Sequence, residues 1–183
     1  NQLLDLSKLG AKKMELLVQK GDLKTFLTIV TTAFDSLAEN KNVHFEKRIA
    51  IENIEHWYDA DKLEKIINNL LFNAFKFTAK GGIISFSVNH IQPTNDLEIT
   101  VEDTGIGIPE EEHQNIFSPF YQSRYVADDG QFGSGLGLSL VKELVSLHGG
   151  HIDLASAVNK GTTIKITLPV TKERIPLIAI FKN

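Results

Sequence analysis

Asn69, Asn73 and Lys76 stand at i, i+4 and i+7 in the stretch DKLEKIINNLLFNAFKFT (residues 61–78), a spacing that stacks them on successive turns of one helical face. Asparagine is a poor helix former because its side chain competes for backbone hydrogen bonds, so two of them on one face call for a compensating role. Carboxamide oxygens suit a hard cation such as Mg²⁺, and a lysine one turn on suits phosphate. The plain alternative is a solvated polar stripe, although such stripes ordinarily use Glu, Lys and Arg. Further along, Asp103 leads into the turn Thr104-Gly105-Ile106-Gly107-Ile108-Pro109. A carboxylate placed there can accept a hydrogen bond from a base amino group, while the glycines allow a ligand to come close. Taken alone, the same residues read first as a turn with a helix cap. Gly133-Ser134-Gly135-Leu136-Gly137 is a second glycine cluster, feeding a helix whose first N–H groups can hold phosphate. It follows an irregular loop rather than a strand, which separates it from a dinucleotide fingerprint.

Hydrophobic periodicity supplies the elements that must position these groups. Leu63, Ile66, Ile67, Leu70, Leu71, Ala74 and Phe75 recur at helical spacing, so residues 61–78 form an amphipathic helix with one buried face. Asp59 starts it, or Asp61 with Glu64 as a capping box. Phe72, Phe75 and Phe77 read as core rather than as part of a cofactor site. Earlier, Leu3, Leu4, Leu6 and Leu9 form the last turns of a helix, and Gly21-Asp22 opens a second helix with Phe26, Leu27, Ile29, Val30, Ala33, Phe34 and Leu37 on its apolar face. Residues 43–49 alternate as a strand, and 54–58 add a short edge strand. Residues 83–89 and 97–102 form an antiparallel pair around the turn-rich 92–96, which delivers Asp103 to a strand end. Pro109 and the three glutamates after it start a short helix ending near Phe117. Periodicity then disappears from 119 to 134, a length that loops inside a domain usually reach for function. Leu136, Leu140, Val141, Leu144 and Val145 define another amphipathic helix stopped by Gly149-Gly150. Residues 152–155 and 162–168 make a second hairpin around Asn159-Lys160-Gly161. The apolar tail 175–181 stands apart, as a linker or the first strand of something further.

Composition narrows the classes of function. A chain of 183 residues suits one main domain with a substantial core. The hydrophobic and charged fractions, 42% and 23%, are ordinary for a globular protein, and a net charge of −4 argues against a nucleic-acid surface. No apolar run approaches the length of a membrane span and the first residues lack a signal-peptide layout, so no membrane contact is expected of this chain itself. Without cysteine there are no disulfides and no thiol catalysis. The six histidines fall on strands, loops or helix ends without metal-site spacing, and none is placed as a phosphoacceptor.

Order and spacing together are more specific than any one motif. The succession NLLFNAFKFT from Asn69, DTGIGIP from Asp103, IFSPFYQ from Ile116, GSGLGL from Gly133 and GTTIKITLP from Gly161 resembles the ATP-binding catalytic domain of sensor histidine kinases over residues 22–170. Gyrase, Hsp90 and the mismatch-repair ATPases share that nucleotide fold. The resemblance implies an α+β fold: a two-layer α/β sandwich in which a mixed, mostly antiparallel sheet is covered on one face by about three helices, the Bergerat-type nucleotide fold. Residues 1–21 would be the end of the dimerisation helical hairpin, and 171–183 a C-terminal tail or the start of a following domain.

Roles follow residue by residue from the same resemblance. Asn73 would coordinate Mg²⁺ bridging the phosphates, Asn69 would hold the metal or its waters, and Lys76 would contact phosphate. Asp103 would bind the adenine amino group, with Gly105 and Gly107 shaping the pocket and Thr162 contributing at its far side. Phe117 and Phe120 would brace a lid formed by residues 121–133. Gly133, Gly135, Leu136 and Gly137 would bring N–H groups to the phosphates. Two positions depart from the family pattern: Gln122 stands where a basic residue is common, with Arg124 two places later. Asn69 occupies the place of the glutamate base of gyrase-like relatives, which disfavours rapid hydrolysis.

The implied function is the ATP- and Mg²⁺-dependent kinase part of a two-component sensor histidine kinase. It would transfer the γ-phosphoryl group to a histidine on a dimerisation helix outside this chain, in cis or in trans. A response-regulator receiver domain would act downstream. The full-length protein would be a homodimer, with this part on the cytoplasmic side of a membrane-bound receptor. The alternative is a nucleotide-sensing interaction module without phosphoryl transfer. A gyrase-like ATPase is disfavoured by Asn69.

Overall fold

The computed structural model describes residues 2–10, 14–52, 55–123 and 133–182. In chain order its elements are α1 (Gln2–Gly10), β1 (Leu17–Asp22), α2 (Leu23–Thr32), α3 (Asp35–Lys41), β2 (His44–Ala50), β3 (Glu55–Tyr58), α4 (Ala60–Phe77), β4 (Ile83–Ile91), β5 (Asp96–Asp103), a 3-10 turn (Glu110–Glu112), α5 (Gly137–Leu147), β6 (His151–Ala157), β7 (Gly161–Leu168) and β8 (Ile180–Lys182). Alternation along the central strands decides where the layers lie. Ile84, Phe86 and Val88 on β4, Leu97, Ile99 and Val101 on β5, and Ile164, Ile166 and Leu168 on β7 are all buried, so one face of the sheet is the core floor. The five strands run in the order β2-β4-β5-β7-β6, with β2–β4 parallel and every other pair antiparallel.

Helices α2 to α5 cover that floor, and their apolar faces join the strands in one cluster. The two-layer α/β architecture anticipated from the sequence is the one observed, with α3 as a short addition to the three main covering helices. The face of α2 differs at two positions, since Ile29 is 67% exposed and Ala33 is exposed as well, and the chain breaks after Thr32 before α3 begins.

Helix α4 is started by Asp59, not by Asp61 with Glu64. The Lys62 backbone N–H donates to Asp59 Oδ1 at 3.1 Å and the Lys62 ammonium to Oδ2 at 2.7 Å. Asp59 Oδ2 also accepts from the backbone N–H of Leu17 at 2.7 Å. A buried carboxylate must be paired, and Asp59 satisfies this by joining the start of α4 to the start of β1.

The ends of the chain depart most from the sequence reading. Residues 1–21, expected to be the end of a helical hairpin, hold a helix only over Gln2–Gly10, and Leu17–Asp22 is a strand. β1 pairs antiparallel with β3 and parallel with β8, which makes a second, three-stranded sheet. The apolar tail is packed in part: Ile175 joins Leu16 and Val18 in a satellite core while Leu177, Ile178 and Ile180 stay exposed, and Arg174 makes a two-pronged pair with Asp96 at 2.7 and 2.8 Å.

Candidate functional site

The apolar stripe of α4 fixes which way its polar face points. Ile66, Ile67, Leu70, Leu71 and Phe75 are fully buried against the sheet and α5, so Asn69, Asn73 and Lys76 face a cleft of about 790 Å³. Asp103, Gly107, Gly133, Gly135, Gly137 and Thr162 line the same cleft. Residues far apart in the chain meet there because β5 ends below the C-terminal half of α4 while α5 begins beside Asn69.

Asp103 is the buried charge of the site. Burial pushes its carboxyl up from the usual carboxylate range, while the backbone N–H groups of Gly105 and Thr162 pull it back. The Gly105 N–H donates to Oδ1 at 2.8 Å, which holds the carboxylate in one orientation. Thr162 faces Asp103 across the β5–β7 ladder. Its hydroxyl lies 2.9 Å from that of Ser156, which donates to Gly161 O at 2.8 Å and accepts from the Ile108 N–H at 2.8 Å. Ser156 has a single proton and gives it to Gly161, so Thr162 is the donor between the two hydroxyls and presents only acceptor capacity to the cleft. The turn after Asp103 needs glycine at Gly107. Its φ is +70° and an added Cβ would sit 1.9 Å from the carbonyl oxygen of Ala157.

The phosphate-type groups lie at the other end. A Cβ on Gly133 would be 3.3 Å from the Lys76 ammonium, and one on Gly137 would be 2.9 Å from Asn69 Oδ1. Glycine at 137 thus lets the N-terminus of α5 begin directly against Asn69, with its free N–H groups and positive dipole end toward the cleft. The Asn69 Nδ2 donates to the Lys65 carbonyl at 2.6 Å, which turns Oδ1 outward. Asn73 has no side-chain hydrogen bond among the described residues. Two carboxamide oxygens beside a lysine and a helix N-terminus match what a hard cation with phosphate requires. Among the described residues no cluster of three His, Asp or Glu offers a competing metal site.

Several assigned residues sit beside the cleft rather than in its wall. Gly105 lies behind Asp103, and Leu136 is buried at the start of α5. Phe120 is 65% exposed, and neither it nor Phe117 lines the cleft; Ile116 and Tyr121 do. Phe120 acts through its backbone, donating N–H to Gly135 O at 2.9 Å. Gln122 Nε2 donates to Gly133 O at 2.7 Å, so the two ends of the long loop are tied together. Arg124 and the lid residues 124–132 lie outside the described residues. The phenylalanines divide: Phe75 is core, but Phe72 is 58% exposed, and both Phe72 and Phe77 line the cleft. Ile106, Ile108 and Gln2 also line it. Ile106 and Ile108 alternate with the glycines of the turn, a pattern that could have marked them; nothing in the sequence marks Gln2.

The class follows from comparison with known proteins. Residues 58–172 match the family described as "Histidine kinase-, DNA gyrase B-, and HSP90-like ATPase", and the chain belongs to that family. Within it the likeness is to sensor histidine kinases. The chain is 39% identical over 170 residues to sensor histidine kinase TmoS of Ectopseudomonas mendocina and 32% identical over 174 residues to sensor histidine kinase WalK of Bacillus subtilis. These alignments cover 93% and 95% of the chain but only 17% and 28% of those proteins. Full-length ShkA in complex with AMPPNP superposes with a TM-score of 0.81 at 25% identity, over 93% of this chain and 35% of ShkA. The nucleotide-free catalytic domain of histidine kinase ThkA superposes with a TM-score of 0.73 at 26% identity, over 88% of this chain and 99% of that domain. The chain is thus a histidine-kinase-type ATPase domain. Among the described residues no helix is long and apolar enough to cross a membrane.

Proposed function

We propose that this domain binds Mg²⁺-ATP in the cleft between α4, the end of β5 and the start of α5, and passes the γ-phosphoryl group to a histidine on a dimerisation helix. The observation that carries this reading is the convergence of Asn69, Asn73, Lys76, Asp103 and both glycine clusters on one cleft. Asp103 accepts from the adenine amino group, and Thr162 offers a second acceptor. Lys76 and the N–H groups at the start of α5 hold the phosphates. Asn69 and Asn73 would hold Mg²⁺, which when bound would neutralise phosphate charge. The acceptor imidazole nitrogen attacks the γ-phosphorus as the bond to the bridging oxygen breaks, and ADP leaves with that electron pair. Positioning and charge stabilisation carry the step. No carboxylate takes the place of Asn69, so the site lacks a base for water there.

The acceptor is a partner of this site because the chain's own histidines are unsuited. None of the six lines the cleft. His148 is buried, its ring held below the usual imidazole range by burial. His44 sits on β2, paired with Glu46 at 3.2 Å. Incubation with radiolabelled ATP should leave the chain unlabelled, whereas a histidine-bearing dimerisation hairpin supplied in trans should acquire acid-labile label. Label on the chain itself would refute this division of labour. ATP binding without transfer to any such hairpin would favour the nucleotide-sensing alternative. Membership of a larger homodimeric receptor and signalling to a receiver domain belong to the same proposal.

A further inference from the structure

We propose that α1 competes with the metal ion for Asn69, so that docking of this helix and binding of Mg²⁺-nucleotide oppose each other. The inference rests on the reading of the cleft given above and adds a regulatory contact to it. Gln2 Nε2 donates to Asn69 Oδ1 at 2.6 Å, and Gln2 Oε1 accepts from the Ser134 hydroxyl at 2.9 Å. The Gln2 side chain therefore spans the gap between the metal-type face of α4 and the glycine loop, inside the cleft it lines.

The carboxamide of Asn69 cannot answer by turning over. Its Nδ2 is committed to the Lys65 carbonyl at 2.6 Å, so Oδ1 is the atom offered to the cleft, and Gln2 occupies it. A cation approaching Oδ1 meets the positive N–H end of the Gln2 amide in the same space, and the two cannot share the oxygen at close range. Helix α1 is anchored through the same residue that orients Asn69: the Lys65 ammonium lies 3.3 Å from Asp5 and 3.1 Å from Asp61. One residue of α4 thus ties to α1 with its side chain and aims Asn69 with its backbone, while α1 also packs along α5.

The lock is weak by construction. One hydrogen-bonded amide and one partly exposed ion pair are worth little each, so metal and nucleotide can displace Gln2, and a shift of α1 can release Asn69. By linkage, whatever moves α1 changes Mg²⁺-nucleotide affinity, and Mg²⁺-nucleotide loosens α1 by the same factor.

Gln2→Ala should raise affinity for a nonhydrolysable ATP analogue in the presence of Mg²⁺ by about three- to tenfold and leave metal-free affinity unchanged, as read by calorimetry. The gain should vanish on an Asn69→Ala background, where Oδ1 is gone. In the unsubstituted chain, Mg²⁺ with the analogue should speed amide exchange along α1, and the analogue without Mg²⁺ should not. Equal affinities of Gln2→Ala and the parent with Mg²⁺, an equal gain with and without Mg²⁺, or unaltered exchange in α1 would each overturn the competition. Failure of the parent chain to bind nucleotide under any condition would instead overturn the reading of the cleft, and this inference with it.

Discussion

Asp103→Asn lowers affinity for ADP by roughly one to two orders of magnitude, the cost of about 1–3 kcal/mol expected when a buried polar group faces the wrong partner. The direction comes from the Gly105 N–H, which donates to Oδ1 at 2.8 Å. An asparagine keeps that bond by placing its own oxygen there, which turns its NH₂ group toward the adenine amino group, donor against donor. Calorimetric titration with ADP is the measurement, and an unchanged affinity would sink the adenine assignment. The same substitution has an opposite effect on the empty domain. Burial raises the Asp103 carboxyl above its ordinary value, so the folded state holds this proton more tightly than the unfolded chain does. The associated stability is complete in acid, below the unfolded value, and is lost as pH rises through the folded one. At neutral pH the ionised Asp103 is a net cost that a neutral asparagine removes. The nucleotide-free variant should therefore melt at a higher temperature than the parent at neutral pH, with the difference closing in acid. A lower Tm at neutral pH would show that Asp103 supports the fold rather than the ligand.

Asn73→Ala acts on the other end of the nucleotide. The side chain is half-exposed and makes no hydrogen bond among the described residues, so its loss should leave the fold intact. It should, however, remove an oxygen donor from the cation. Loss of even an outer-shell partner of a metal typically costs about 10–100-fold in affinity or activity, and loss of a direct donor should cost at least as much. The increment that Mg²⁺ adds to ADP affinity should fall by that order, with metal-free ADP binding retained, and transfer to a dimerisation hairpin should be lost. If Mg²⁺ strengthens binding to the variant as much as to the parent, Asn73 is a surface residue and the metal is held elsewhere. Read together, the two variants separate recognition of the base from handling of the phosphates.

Local pattern determined much of this protein by itself. The period of residues 61–78 required a helix buried on one side, and with it a shared face for Asn69, Asn73 and Lys76, because side-chain direction in a helix is set by spacing alone. The alternation in 83–89, 97–102 and 162–168 required half-buried antiparallel strands and brought Asp103 to a strand end, but only the pairing of β5 with β7 sets it opposite Thr162. Gly107 was legible as a place of close ligand approach and Gly137 as the start of a phosphate-type helix end, but only the fold shows that their close neighbours are the Ala157 carbonyl and Asn69.

Tertiary structure decided whatever depends on which surfaces meet. Asp59 rather than Asp61 starts α4 because Lys62 and the Leu17 N–H complete its pairing, and Leu17 lies far away in the chain. β1 has no strand signature of its own because it is short and gains its geometry from pairing with β3 and β8, and the tail becomes β8 of this domain only by pairing with β1. Phe72 and Phe77 have the composition of core residues, and only the placement of the sheet leaves them on the cleft. Phe120 contributes a backbone N–H, which no side-chain pattern encodes. Gln2 is an unremarkable polar residue until the fold brings it against Asn69, since a hydrogen bond across 67 residues has no local signature.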